Sequence, residues 1–147
     1  MTEILSHDAR LFLNALSNNF TDKINNLLLK RKQRKNFFPG FLHNTKKIRE
    51  TDWEVLSPPK EILDRRVEIT GPPVRKMIIN ALNSGANVYM ADFEDSNCPT
   101  FENCIQGQIN LCDAVRKNIE HTDPKTKKNY KLKDQTATLF VRPRGLH

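Results

Sequence analysis

The sequence predicts an α/β protein, with an N-terminal helical segment followed by strands and helices in alternation. Three observations carry that prediction. Apolar residues recur three or four apart through positions 1–35. From residue 65 onward, short β-branched runs alternate with stretches of helical period. No apolar run approaches the ~20 residues that span a bilayer, which excludes an integral membrane protein. On this reading residues 1–64 form a helical segment and residues 65–147 an α/β unit.

The helix over 1–35 rests on Leu5, Ala9, Phe12, Leu16, Phe20, Ile24 and Leu27, which line one face. Ser6 is a candidate N-cap with Asp8 in the first turn, where an acid suits the positive end of the dipole. Thr21-Asp22 is a place where the helix could break and restart. Residues 36–64 read as irregular, with apolar turns at Phe37-Phe38-Pro39-Gly40-Phe41 and Ser57-Pro58-Pro59 that dock on something. Trp53 in this stretch reads as a docking residue.

Val67-Glu68-Ile69-Thr70 alternates, is β-branched and ends at Gly71-Pro72-Pro73, the signature of a short strand. Val74 to Ser84 follows as a helix with Met77, Ile78 and Leu82 as core residues, and Gly85 stands where it would terminate. Val88-Tyr89-Met90-Ala91 is too short for a helix and reads as a buried strand. A second helix is expected from an N-cap at Thr100, turning Ile105, Ile109, Cys112, Val115 and Ile119 inward. His121 to Gln135 is a Lys-rich surface turn or hairpin, and Thr138 to Arg142 is a third strand stopped by Pro143.

Strand–helix–strand–helix–strand predicts parallel strands joined by helical crossovers. Parallel strands want cover on both faces, and three of them leave an open edge. The unit therefore reads as the opening of a larger α/β domain. The chain also stops shortly after a strand end, at Gly145-Leu146-His147, and is expected to be a fragment.

Charge narrows the function classes less than it first suggests. Lys and Arg number 24 against 17 Asp and Glu, a net charge of +7. Nine basic residues and no acid lie between Lys23 and Arg49, and Lys125, Lys127, Lys128, Lys131 and Lys133 form a second group. Such groups attract phosphates, so a module binding nucleic acid or an acidic partner is one reading. Solvated helix ends and a basic hairpin tip are the other, and no recognised nucleic-acid module accompanies the charge. No nucleic-acid partner and no membrane partner is therefore expected. Cys98, Cys104 and Cys112 include no Cys-x-x-Cys and the histidines are scattered, so reduced thiols are expected and a structural zinc is not. The amino terminus lacks a basic n-region with an apolar stretch, which points to the cytoplasm over secretion.

In α/β sheets, chemistry collects at the carboxyl ends of the strands. The second strand ends in Asp92-Phe93-Glu94-Asp95-Ser96 and the third in Arg142-Pro143-Arg144-Gly145. Carboxylates facing guanidinium groups suit a divalent cation with a small oxyanion. On an extended segment Asp92 and Glu94 point the same way and Asp95 points elsewhere. The same residues would equally serve as a capping loop and a structural salt bridge, and spacing leaves both open.

Beyond these patterns, residues 65–110, from Arg65-Arg66-Val67-Glu68-Ile69-Thr70-Gly71-Pro72-Pro73 through Ala91-Asp92-Phe93-Glu94-Asp95-Ser96-Asn97 to Gly107-Gln108-Ile109-Asn110, resemble malate synthase of the A type. Val141-Arg142-Pro143-Arg144-Gly145 resembles that family's third barrel strand, and Thr45-Lys46-Lys47-Ile48-Arg49 with Asp52-Trp53 resembles the lead-in to the barrel. The resemblance is dense over 45–147 and loose over the first helix. It implies an N-terminal helical clasp and the opening βαβαβ part of a truncated (β/α)8 TIM barrel. The implied reaction condenses glyoxylate with acetyl-CoA and water to malate and CoA, in the glyoxylate bypass, with Mg2+.

Residue by residue, Arg142 matches the family's active-site arginine, commonly assigned as proton acceptor. With a pKa above ~12 it is expected instead to stabilise enolate and aldehyde oxygens electrostatically. Asp92 and Glu94 match the acidic strand end beside the magnesium and its waters. The direct metal carboxylates and the catalytic aspartate fall downstream of residue 147 in the family, so no metal ligand is expected within this chain and the fragment is expected to be inactive alone. Leu146 stands where the family usually has Trp, which puts packing beside the arginine in doubt. The cytoplasm is the expected compartment, or a peroxisome or glyoxysome in a eukaryote. A related barrel lyase acting on acyl-CoA esters shares both strand ends and remains the nearer alternative, with the basic binding module as the more distant one.

Overall fold

In the computed structural model, residues 4–34 and 40–146 are described. They form two compact units, one of His7–Pro58 and one comprising Pro59–Leu146 with the residues just before His7.

The His7–Pro58 unit is mostly one helix, α1 (His7–Gln33), with Asp8 in its first turn and Lys30, Arg31 and Lys32 in its last, matching both ends of the dipole. It runs through Thr21-Asp22 without the expected break. The Thr21 hydroxyl bonds back to the Ser17 carbonyl at 2.7 Å, a local bond that a helix accommodates. None of its residues is buried among the described residues, and Phe12, Leu16, Phe20 and Leu27 of the apolar stripe read from the sequence are exposed. The short helix α2 (Lys46–Arg49) follows a 3-10 turn, and the Arg49 guanidinium lies 4.5 Å over the Phe41 ring. Most of the apolar turn at 37–41 lies outside the described residues.

The second unit is built on β2 (Val88–Asp92), whose neighbours are β1 (Glu68–Gly71) and β5 (Thr138–Arg142), both parallel to it. The parallel strands follow from the crossovers: α3 (Arg75–Leu82) joins β1 to β2, and α4 (Phe101–Val115) leads from β2 towards β5. Thr100 caps α4 by accepting a bond from the Asn103 N–H at 3.2 Å, as its position predicted. Gly85, with φ of +88°, turns the chain between α3 and β2, a conformation that side chains resist.

Successive side chains of a strand face opposite ways. Tyr89, Ala91 and Phe93 enter the core with Ile78, Ile79 and Leu82 of α3 and Leu111 and Ala114 of α4. Ile69 and Leu139 of the flanking strands pack against the same cluster. That assigns Val88, Met90 and Asp92, with Thr138, Phe140 and Arg142, to the other face. The expected inward set is met in part: Ile119, just past α4, is buried in the core and Ile105, Ile109 and Cys112 are half-buried, but Gly107, Asn110, Leu111 and Ala114 are the buried residues of the helix and Val115 is 72% exposed. The reason is at Gly107, where an added Cβ would stand 2.7 Å from the Phe93 ring and 2.9 Å from Pro73. A residue without a side chain brings that stripe of the helix closest to the sheet.

The Lys-rich excursion is a hairpin, β3 (Glu120–Thr122) antiparallel to β4 (Asn129–Lys131). It is fastened to α3 by Lys76, which meets Asp123 at 2.8 Å and sits 4.9 Å over the Tyr130 ring. Asp123 also accepts the Lys125 and Thr126 N–H groups, which shapes the tip. No helix among the described residues is long and apolar enough to cross a membrane.

Candidate active site

The register of β2 against β5 sets Asp92 directly beside Arg142 at the carboxyl ends of adjacent strands. Asp92 is 1% exposed. A lone buried carboxylate would be costly, and here it is met by four donors. Its Oδ1 accepts the Glu94 N–H at 2.8 Å and the Asp95 N–H at 3.1 Å. Its Oδ2 accepts the Ser96 hydroxyl and Arg142 Nη1, each at 3.4 Å. Burial pushes the Asp92 carboxyl up, but the backbone N–H groups of Asp95 and Glu94 and the Arg142 charge outweigh it, holding Asp92 below the usual carboxylate range.

Those two backbone bonds fold the chain back immediately after the strand. The alternation of an extended segment therefore holds through Phe93 and Glu94 and fails at Asp95, which does not point elsewhere as the spacing suggested. Its Oδ2 lies 2.7 Å from Arg142 Nη1, while Glu94 Oε2 lies 2.6 Å from Nη2. Glu94 Oε1 accepts the Gly145 N–H at 2.9 Å, tying the loop after β2 to the loop after β5. The signal for Asp95 was present in the sequence: an Asp that ends a strand accepts the N–H groups two and three residues on, curling the chain there.

Arg142 is thus gripped by three carboxylates. Burial opposes its charge, but its hydrogen bonds to Asp95 and Glu94 outweigh this and raise its pKa further. Of its five N–H donors, Nη1 serves Asp92 and Asp95 and Nη2 serves Glu94. Nε has no hydrogen bond or ion pair among the described residues, and an oxyanion could take its N–H. Arg144, two residues on, makes no salt bridge to the three carboxylates. Behind the site, buried Tyr89 donates its hydroxyl to the Gly71 and Pro72 carbonyls, at 3.2 and 2.9 Å, steadying the loop after β1. Burial, then the Asp92 charge, pushes that phenol up to about 12, so it remains a donor.

The chain as a whole is similar to known proteins. The chain is 52% identical over 150 residues to a malate synthase of Myxococcus xanthus, covering 99% of this chain. It is 52% identical to the glyoxysomal malate synthase of Cucurbita maxima, covering 98% of this chain, and 51% identical to a bifunctional glyoxylate cycle protein of Caenorhabditis elegans, covering 99%. Over 98–99% of its length the chain is similar to malate synthases. That stretch is 28%, 26% and 16% of the length of these three relatives. No protein-family model matches the chain.

Magnesium is implied here only by the resemblance of these strand ends to malate synthase. Among the described residues no group of three or more His, Cys, Asp or Glu side chains could hold a metal ion. The acidic strand end does not fit a divalent cation as a set of direct ligands. Both Asp92 oxygens and both Glu94 oxygens already accept hydrogen bonds or ion pairs, and a guanidinium lies against all three carboxylates. The three cysteines are free.

Proposed function

We propose that this chain is part of a malate synthase that condenses glyoxylate with acetyl-CoA and water to give malate and CoA. Residues 1–64 would form the helical clasp, and residues 65–147 the first three strands of a (β/α)8 barrel. The observation that carries the reading is the grip of Asp92, Glu94 and Asp95 on Arg142, at adjacent strand ends of a chain half identical to malate synthases.

In this reading Arg142 is an electrostatic catalyst. Its remaining donors face the oxygens on which charge develops, the aldehyde oxygen of glyoxylate and the enolate oxygen of the acetyl group. With its pKa raised, it does not exchange a proton near neutrality. The three carboxylates hold the guanidinium before substrate arrives, so it does not have to be ordered during the reaction. A carboxylate outside this chain takes the proton from the acetyl methyl group. Magnesium belongs to the reading as an ion ligated by carboxylates outside this chain, with Asp92 and Glu94 in its surroundings. The compartment would be the cytoplasm, or the glyoxysome named for the Cucurbita relative.

The test is glyoxylate-dependent release of free CoA thiol. A whole protein carrying this segment should show it, and residues 1–147 alone should not, because they lack the base worth ~10²–10⁴ in rate. Arg142→Lys keeps the charge but loses the planar fork, and should lower kcat by at least ~10²-fold, the scale of one oxyanion donor. A whole protein without this activity, or one indifferent to Arg142→Lys, would overturn the assignment.

A further inference from the structure

The Arg142 guanidinium has one short contact at each end of its fork, and they do not both come from the residues expected to hold it. Nη2 meets Glu94 at 2.6 Å, and Nη1 meets Asp95 at 2.7 Å. Asp92, although buried beneath, stands off at 3.4 Å. Two short contacts at opposite ends define the plane of a rigid, flat group, whereas one contact leaves it free to pivot. Asp92 has a different task, since two of its four donors are the Glu94 and Asp95 N–H groups. It folds the loop that delivers the other two carboxylates. Asp95 reaches Arg142 from solvent, with a side chain 68% exposed, so its charge costs little to keep and its removal leaves no buried hole.

We propose that Asp95 is a positioning residue, which with Glu94 sets the plane of the Arg142 guanidinium and thereby the direction of its remaining donors. With Asp92 and Asp95 both at Nη1 and Glu94 at Nη2, the nitrogen left without a partner among the described residues is Nε. An oxyanion is then received at one edge of the group and not at its tip. This role depends on the malate synthase reading only for the identity of that oxyanion.

The experiment needs no substrate. In the 147-residue chain labelled with 15N-arginine, the Arg142 side-chain signals are assigned by their loss in Arg142→Lys. The rate of rotation of the guanidinium is then read from exchange between its Nη sites. Asp95→Asn, nearly isosteric and neutral, should speed that rotation by roughly two- to fivefold, the factor corresponding to an exposed ion pair. Asp95→Ser should do the same, and Asp95→Glu should restore slower rotation. A merely structural role would alter backbone amide signals without this pattern. Rotation unchanged in both neutral variants, with β2 and β5 amide signals retained, would show that Glu94 and Asp92 suffice and overturn the proposal. So would equal acceleration in Asp95→Glu, or loss of the β2 and β5 signals in both neutral variants. Activity of a whole protein is scored separately, so either conclusion can fail without the other.

Discussion

Replacing Asp92 by Asn isolates the contribution of a buried carboxylate, because size and shape hardly change. The amide can still present one oxygen to the Glu94 and Asp95 N–H groups, but those bonds become neutral. A bond to a charged acceptor contributes about 1.5–3 kcal/mol against about 0.5–1.5 for a neutral one, so about 1 kcal/mol is lost at each. The new NH2 faces the Ser96 hydroxyl, which can accept, and the Arg142 guanidinium, which cannot. Relief of repulsion among three carboxylates offsets part of this. The expected net loss is about 2 kcal/mol at pH 7, read as a lowered urea midpoint of the Pro59–Leu146 unit. The sign with pH follows from Asp92 titrating below its ordinary value in the folded state. Such a group stabilises fully above its unfolded pKa of ~3.9 and loses that contribution as pH falls through the folded value. The gap between wild type and Asp92→Asn should therefore be constant from pH 7 to about 5 and shrink below about 4. A gap under ~0.5 kcal/mol at pH 7, or one that persists undiminished at pH 3, would refute the view that charge on this side chain organises the loop.

Other substitutions test other parts of the same unit. Gly107→Ala sets a helix-propensity gain of ~1 kcal/mol against overpacking on Phe93 and Pro73, typically ~1–3, so a net loss of about 1 kcal/mol is expected by urea unfolding. A more stable variant would mean the ring and proline yield freely. Thr100→Ala should cost about 1 kcal/mol through loss of the cap at Asn103, with amide exchange rising first in the opening turn of α4. Lys76→Met should loosen the hairpin without touching the core: amide exchange in β3 and β4 quickens severalfold while β2 is unchanged. Because Lys76 holds Asp123 well below the usual carboxylate range, wild-type hairpin protection should persist through mild acid and fade only below that range.

How far the sequence could be read depended on how local the physics was. Thr138–Arg142 was legible to the residue, because a β-branched, apolar run closed by proline has few alternatives to a strand. Thr100 was legible because a cap bonds only three residues away. The inward face of α4 was not, since Gly107 carries no hydrophobic signal and its burial is dictated by a ring on β2 and a proline after β1. The uninterrupted α1 was misread because Thr21 and Asp22 disfavour helix only weakly. The meeting of Arg142 with Asp92 was legible from their places at adjacent strand ends. Asp95 was hidden by carrying strand geometry one turn too far.

The unit divides its labour along single strands, and that division decides which variants are informative. On β2, Tyr89 and Ala91 serve the core, whereas Asp92 on the opposite face serves the charged cluster. Most positions therefore affect stability or chemistry, with little overlap. Asp92 is the exception: it is as buried as the core residues, yet both its oxygens shape the loop and the arginine. Loss of activity on changing Asp92 would mix disorder of the loop with loss of the site. Arg142 and Asp95 are exposed by 39% and 68%, and their neighbours can relax into water when either is altered. Activity lost at those two positions with the fold intact can be assigned to the geometry of the guanidinium, and it is there that the proposed chemistry is most cleanly tested.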